Sequence, residues 1–104
     1  METQFFDASL EKFIESLEDS TIAKVFRAID LLKIFGLDLR MPHSKKIKNG
    51  LFELRIRGKQ EVRIFYTFHK MSIILLHGFV KKSQKTPQKE IQIALKRRST
   101  LDMI

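Results

Sequence analysis

The feature that most constrains this chain is a change of hydrophobic period partway along it. Between Ser9 and Gly36 apolar residues recur at helical spacing, first Leu10, Phe13, Ile14 and Leu17, then Ile22, Val25, Phe26 and Ile29. That spacing lays one apolar stripe along each of two helices. From Leu51 onward the period is two. Phe52, Leu54 and Ile56 alternate with Glu53, Arg55 and Arg57, and Val62, Ile64, Tyr66 and Phe68 alternate with Arg63, Phe65 and Thr67. Successive strand side chains point to opposite sheet faces, so each of these strands offers one apolar face to the helices. Ser72 to Val80 is nearly continuous in apolar residues, the mark of a central strand.

The punctuation agrees with this division. Asp7 or Ser9 caps the first helix and Asp19 or Ser20 the second, each through an oxygen that accepts from free backbone N–H groups. Gly36 stops the second helix. Leu37 to Gly50 reads as an irregular basic segment ending in an Asn-Gly turn. Short turns at Gly58-Lys59-Gln60 and His69-Lys70-Met71 make the three strands an antiparallel meander. Pro87 opens a last helix through Ile91, Ala94 and Leu95 to Arg98. Phe5 and Phe6 allow a short first strand. The expected fold is α+β: an N-terminal helical hairpin packed on a small twisted antiparallel sheet of three or four strands, with a C-terminal helix. At 104 residues the chain is read as a single domain, 1–104.

Charge divides the chain along the same line. Residues 1–39 hold four Lys/Arg against eight Asp/Glu, whereas residues 40–98 hold sixteen against three. An acidic support carrying a basic working half points to a polyanionic partner, nucleic acid above all. There is no cysteine, and the three histidines are scattered, so neither a disulfide framework nor a metal site is expected. No cofactor is expected. The N-terminus lacks a signal-peptide pattern and no run is long enough to span a bilayer, which makes the cytoplasm the expected location.

Period-two alternation groups the candidate site. Arg55, Arg57, Arg63 and Phe65 share the face turned away from the hairpin. His77, Phe79 and Lys81 are assigned to it because that choice keeps His77 and Lys81 out of the core. Lys45, Lys46 and Lys48 enter from one end, and Lys81, Lys82 and Lys85 crowd the end of the most apolar strand. Arginine grips phosphate with paired hydrogen bonds, lysine acts as a mobile charge, and Phe65 between them suits base stacking. Taken singly, His77 beside Gly78 is more often structural than catalytic, and Lys96-Arg97-Arg98 reads as a solvated helix end favoured by the helix dipole.

Two stretches, KKIKNGLFELRIRGKQEVRIFYTF and IILLHGFVKKSQKTPQKEIQIAL, resemble the RelE/ParE toxin superfamily, and within it the phage-derived, HigB-like branch. The resemblance covers residues 5–98, and LHGFxKKxxKTP is its specific part. It implies a RelE-like fold and a toxin that cuts mRNA on the translating ribosome. It also implies neutralisation by a helix-turn-helix, HigA-like antitoxin in a hetero-oligomer. By position, Arg63 matches the arginine that contacts the scissile phosphate. Lys82, with Lys81 next, matches the basic residue that stabilises charge or protonates the leaving oxygen, and Arg55 and Lys48 match positions that hold RNA. Several relatives carry a tyrosine or histidine base near the C-terminus, whereas residues 83–104 contain neither. A lysine crowded by like charge, His77 or Glu53 remain as bases. A binding module without catalysis and a ParE-like gyrase poison are the alternatives.

Overall fold

The computed structural model describes residues 1–102; Met103 and Ile104, the end of the expected domain, lie outside the described residues. In chain order the elements are β1 (Glu2–Phe5), α1 (Ala8–Glu15), α2 (Asp19–Phe35), β2 (Ser44–Lys48), β3 (Leu51–Ile56), β4 (Val62–His69), β5 (Ser72–Val80) and α3 (Gln88–Leu101). They build a five-stranded sheet in the order β1-β5-β4-β3-β2. The α+β class is as expected, but the chain opens with a strand and not with the helical hairpin. β1 lies parallel to β5, pairing Glu2 with Ser72 through Phe5 with Leu75, so the sheet is mixed. At the other edge, the segment expected to be irregular forms β2, antiparallel to β3.

The helical hairpin covers one face. Leu10 and Ile14 of α1 and Val25, Ile29 and Leu32 of α2 pack on Leu54, Ile56, Val62, Ile64, Tyr66, Ile73 and Leu75. Asp7 caps α1 by accepting from the Ser9 amide, whereas α2 is preceded by Glu18, which makes no side-chain cap. Gly36, at φ 53°, ends α2 in a conformation that L side chains rarely adopt. Gly78 answers a different need. A Cβ there would sit 2.9 Å from the Phe13 ring and 3.0 Å from Leu10, so its absence lets α1 lie close on β5.

The opposite face is not open, contrary to expectation. α3 crosses it, and Ile91, Ala94 and Leu101 pack on Leu51, Phe65, Ile74, Leu76 and Phe79 in a second core. A register shift where Phe65 faces His77 and Tyr66 faces Leu75 leaves Leu76 as an extra residue in β5. Leu76 therefore joins the α3 side along with His77, which is why the apolar run of β5 obscured its own faces. Arg97 donates to the Leu76 carbonyl at 2.7 Å and Arg98 to the Asn49 carbonyl at 2.6 Å. These arginines clamp α3 to the sheet and are not a solvated helix end.

Candidate phosphate-binding cleft

Antiparallel pairing brings the end of β3, the start of β4 and the end of β5 to one end of the sheet, beyond the reach of α3. The residues there line a cleft of about 590 Å³: Arg55, Arg57, Glu61, Arg63, Lys81, Lys82, Ser83 and Gln84. Five cations share it with one carboxylate.

The register makes the crowding acute. Arg55 lies directly opposite Arg63 across the β3–β4 pair. Like charges at such positions destabilise a sheet, so the arrangement costs folding energy unless counter-charge is supplied. Part of that counter-charge is internal. Arg63 is 2% exposed. Its Nε lies 3.6 Å from Glu53 Oε1, an ion pair too long for a hydrogen bond, and its Nη1 donates to Glu61 Oε2 at 3.1 Å. The open face expected for Arg63 is thus a floor position, because Glu53 is itself buried on the same face. Arg55 is left less well served. Its Nη1 reaches the Met41 sulfur at 3.2 Å, and its buried Nε has no hydrogen-bond partner. Burial, then the charges of Arg63 and Arg57, hold its pKa below the ordinary arginine value.

The loop that carries the lysines is moored to this floor. Thr86 donates to Glu53 Oε2 at 2.9 Å, and the Lys81 amide donates to the Glu61 carbonyl at 2.6 Å. Lys81 Nζ donates to the Gln84 carbonyl at 2.9 Å, while Lys82 stands exposed at the rim. Lys85 is exposed on the same loop but does not line the cleft.

Other sequence candidates fall elsewhere. Phe65 is fully buried under α3, packed beside Phe79, so it cannot stack a base without unfolding. His77 is sandwiched near Phe65 and Phe79 and lies 3.0 Å from Glu90 of α3, on the covered part of the face and outside the cleft lining. Lys45, Lys46 and Lys48 belong to the edge strand β2. Lys45 and Lys46 border a separate hollow with Arg40, Met41 and Phe52. Glu61 and Thr86 were missed as site residues, and Glu53, weighed only as a base, is instead the buried partner of Arg63 and Thr86. The available signal was the alternation that placed Glu53 on the Arg63 face, and the threonine inside the KTP stretch.

Among the described residues, no group of three or more His, Cys, Asp or Glu could hold a metal ion, and no helix is long and apolar enough to cross a membrane. Residues 12–99 match the family described as Phage derived protein Gp49-like. None of the curated proteins matches the chain.

Proposed function

Since the chain belongs to the phage-derived Gp49-like family, part of the RelE/ParE-like toxin superfamily, we propose that it is a HigB-like toxin that cleaves mRNA on the ribosome. The observation that carries this reading is the Arg55–Arg63 pair, two arginines directly opposite at the floor of an open cleft. An anion bound there would relieve a repulsion that the fold otherwise sustains. The phosphodiester of RNA is such an anion.

In this reading the 2′-oxygen attacks the adjacent phosphorus and the 5′-oxygen leaves with a proton. The products are a 2′,3′-cyclic phosphate and a 5′-hydroxyl. Negative charge builds on the phosphoryl oxygens, where Arg55, Lys81 and Lys82 stabilise it. Arg63 contributes positive field from the floor. Its pairing with Glu61, whose side chain is 40% exposed, is the part a phosphate can displace. Glu61 also supplies the carboxylate that lines the cleft, so it is the base in this mechanism. His77 is engaged with Glu90, and Glu53 with Arg63 and Thr86. Lys82, at the rim, donates the proton to the leaving oxygen.

The partner in this reading is a helix-turn-helix, HigA-like antitoxin. Exposed Phe26, Ile34, Phe35 and Leu37 on and just after α2 give a protein partner apolar surface to cover.

The test is single-turnover cleavage of ribosome-bound mRNA beside a binding titration. Lys82→Ala and Glu61→Gln should each lower the saturated rate by about 10²–10³, with far smaller changes in binding. Equal saturated rates with lost affinity would leave a nucleic-acid-binding module. Arrested replication with intact mRNA in induced cells would point to a gyrase poison.

A further inference from the structure

Arg55 and Arg57 form a ridge with a hollow on each side. One side is the cleft described above. On the other, between α2 and the end of β3, lies a groove of about 300 Å³ lined by Lys24, Arg27, Ala28, Leu31, Pro42, His43, Arg55, Ile56 and Arg57. It exists because β2 pairs with β3 only as far as Ser44 opposite Leu54, with a last bond from the Arg55 amide to the His43 carbonyl. Residues beyond that point are a sheet edge that no strand covers.

Three features of the groove bear on what it holds. Its rim carries four permanent cations, and no carboxylate is among its lining residues. Among the described residues, Lys24, Arg27, Arg55 and Arg57 take part in no ion pair. Its floor is apolar, made by Ala28, Leu31, Pro42 and Ile56. Lys24 and Arg27 are two of the four cations of the otherwise acidic helical half, and they stand three residues apart, on one side of α2. Lys24 is already turned toward the sheet edge, its Nζ 3.4 Å from the Arg57 carbonyl. An inorganic anion would use the rim and leave the floor in water. A nucleotide uses both, phosphate on the cations and base on the apolar floor.

We propose that this groove is a second nucleotide site, which takes a neighbouring phosphate and base of the same single-stranded RNA as the strand passes over the Arg55–Arg57 ridge. The inference rests on the reading of the first cleft as an RNA phosphate site. It adds α2 to the RNA-binding surface and makes strand length a determinant of affinity.

The experiment is fluorescence anisotropy with labelled, 2′-O-methylated RNA, so that cleavage cannot interfere. A dinucleotide, with one phosphate, is compared with an octanucleotide over a range of salt. Wild type is compared with Lys24→Ala/Arg27→Ala; both residues are exposed on a helix and alanine favours helix. The double variant should bind the octanucleotide with a salt slope shallower by about 1.4, two contacts at about 0.7 each. At about 0.1 M salt that corresponds to roughly 25-fold weaker binding. Dinucleotide binding should change by less than about threefold. Identical octanucleotide slopes for both proteins overturn the groove, even where ribosomal cleavage stands. Conversely, an intact slope difference in a protein that never cleaves mRNA sinks the ribonuclease reading and keeps the groove.

Discussion

Replacing Arg63 by alanine separates the role read from alternation from the one the fold assigns. Alternation on an open face makes Arg63→Ala structurally silent. The structure makes it costly. Arg63 is 2% exposed, and its removal leaves the Glu53 carboxylate, 3% exposed, with Thr86 as its remaining donor. Breaking a buried pair from one side costs about 3–5 kcal/mol, because a buried charge loses its counter-charge. The half of the interaction directed at Glu61 is partly solvated and adds at most about 1 kcal/mol. A loss of about 3 kcal/mol is therefore expected. With a urea m-value of about 1.5 kcal/mol/M, the midpoint should fall by about 2 M. The assay is urea unfolding followed by circular dichroism. Glu53→Leu/Arg63→Met, which removes both charges and keeps the volume, should recover most of the loss. Midpoints for Arg63→Ala within about 0.3 M of wild type would refute the reasoning. So would a double variant as unstable as the sum of its single changes, since that leaves no coupling between the two charges. The consequence for function is direct: loss of activity in Arg63→Ala has to be read beside its stability.

Three further outcomes follow from the same structure. Gly78→Ala places a methyl against the Phe13 ring and Leu10 and should cost about 1–3 kcal/mol, seen as a lower thermal midpoint that Phe13→Leu partly restores. Tyr66, hydrogen-bonded to Ser44, has its pKa raised by burial, with the Ser44 bond opposing. A proton held more tightly in the folded state means stability is full below about pH 10 and declines as pH rises above it; Tyr66→Phe should abolish that alkaline decline, and an unchanged profile would contradict the assignment. Cleavage should persist in EDTA when the ribosomal subunits are held together by other means, since the mechanism uses only lysine, arginine and glutamate; loss of activity restored by one divalent ion would show that the charges alone are insufficient.

Sequence alone determined what is set locally. The helical stripes of α1 and α2, the alternation of β3 and β4, the Gly36 stop and the Asp7 cap each follow from neighbours a few residues apart, and each is found in the fold. The same alternation put Arg55 and Arg63 on one face, which is the geometry of the cleft floor. What it could not supply is anything set by partners distant in the chain. Phe5 and Phe6 allow a short first strand, but four residues at Glu2–Phe5 carry too little pattern to fix its extent or partner, and only β5 gives them a place. The extra residue Leu76 shifts the faces of β5, so counting in twos fails there. Above all, whether a sheet face is open depends on what lies over it. α3 buries Phe65 and takes up His77, while the end of the face beyond α3 stays open. Burial also decides electrostatics: an arginine at the surface is a hand for phosphate, whereas the same arginine beside a buried Glu53 is a structural ion pair. The types and alternation of these residues were legible in the chain, but the solvent around each was decided only when the helices closed over the sheet.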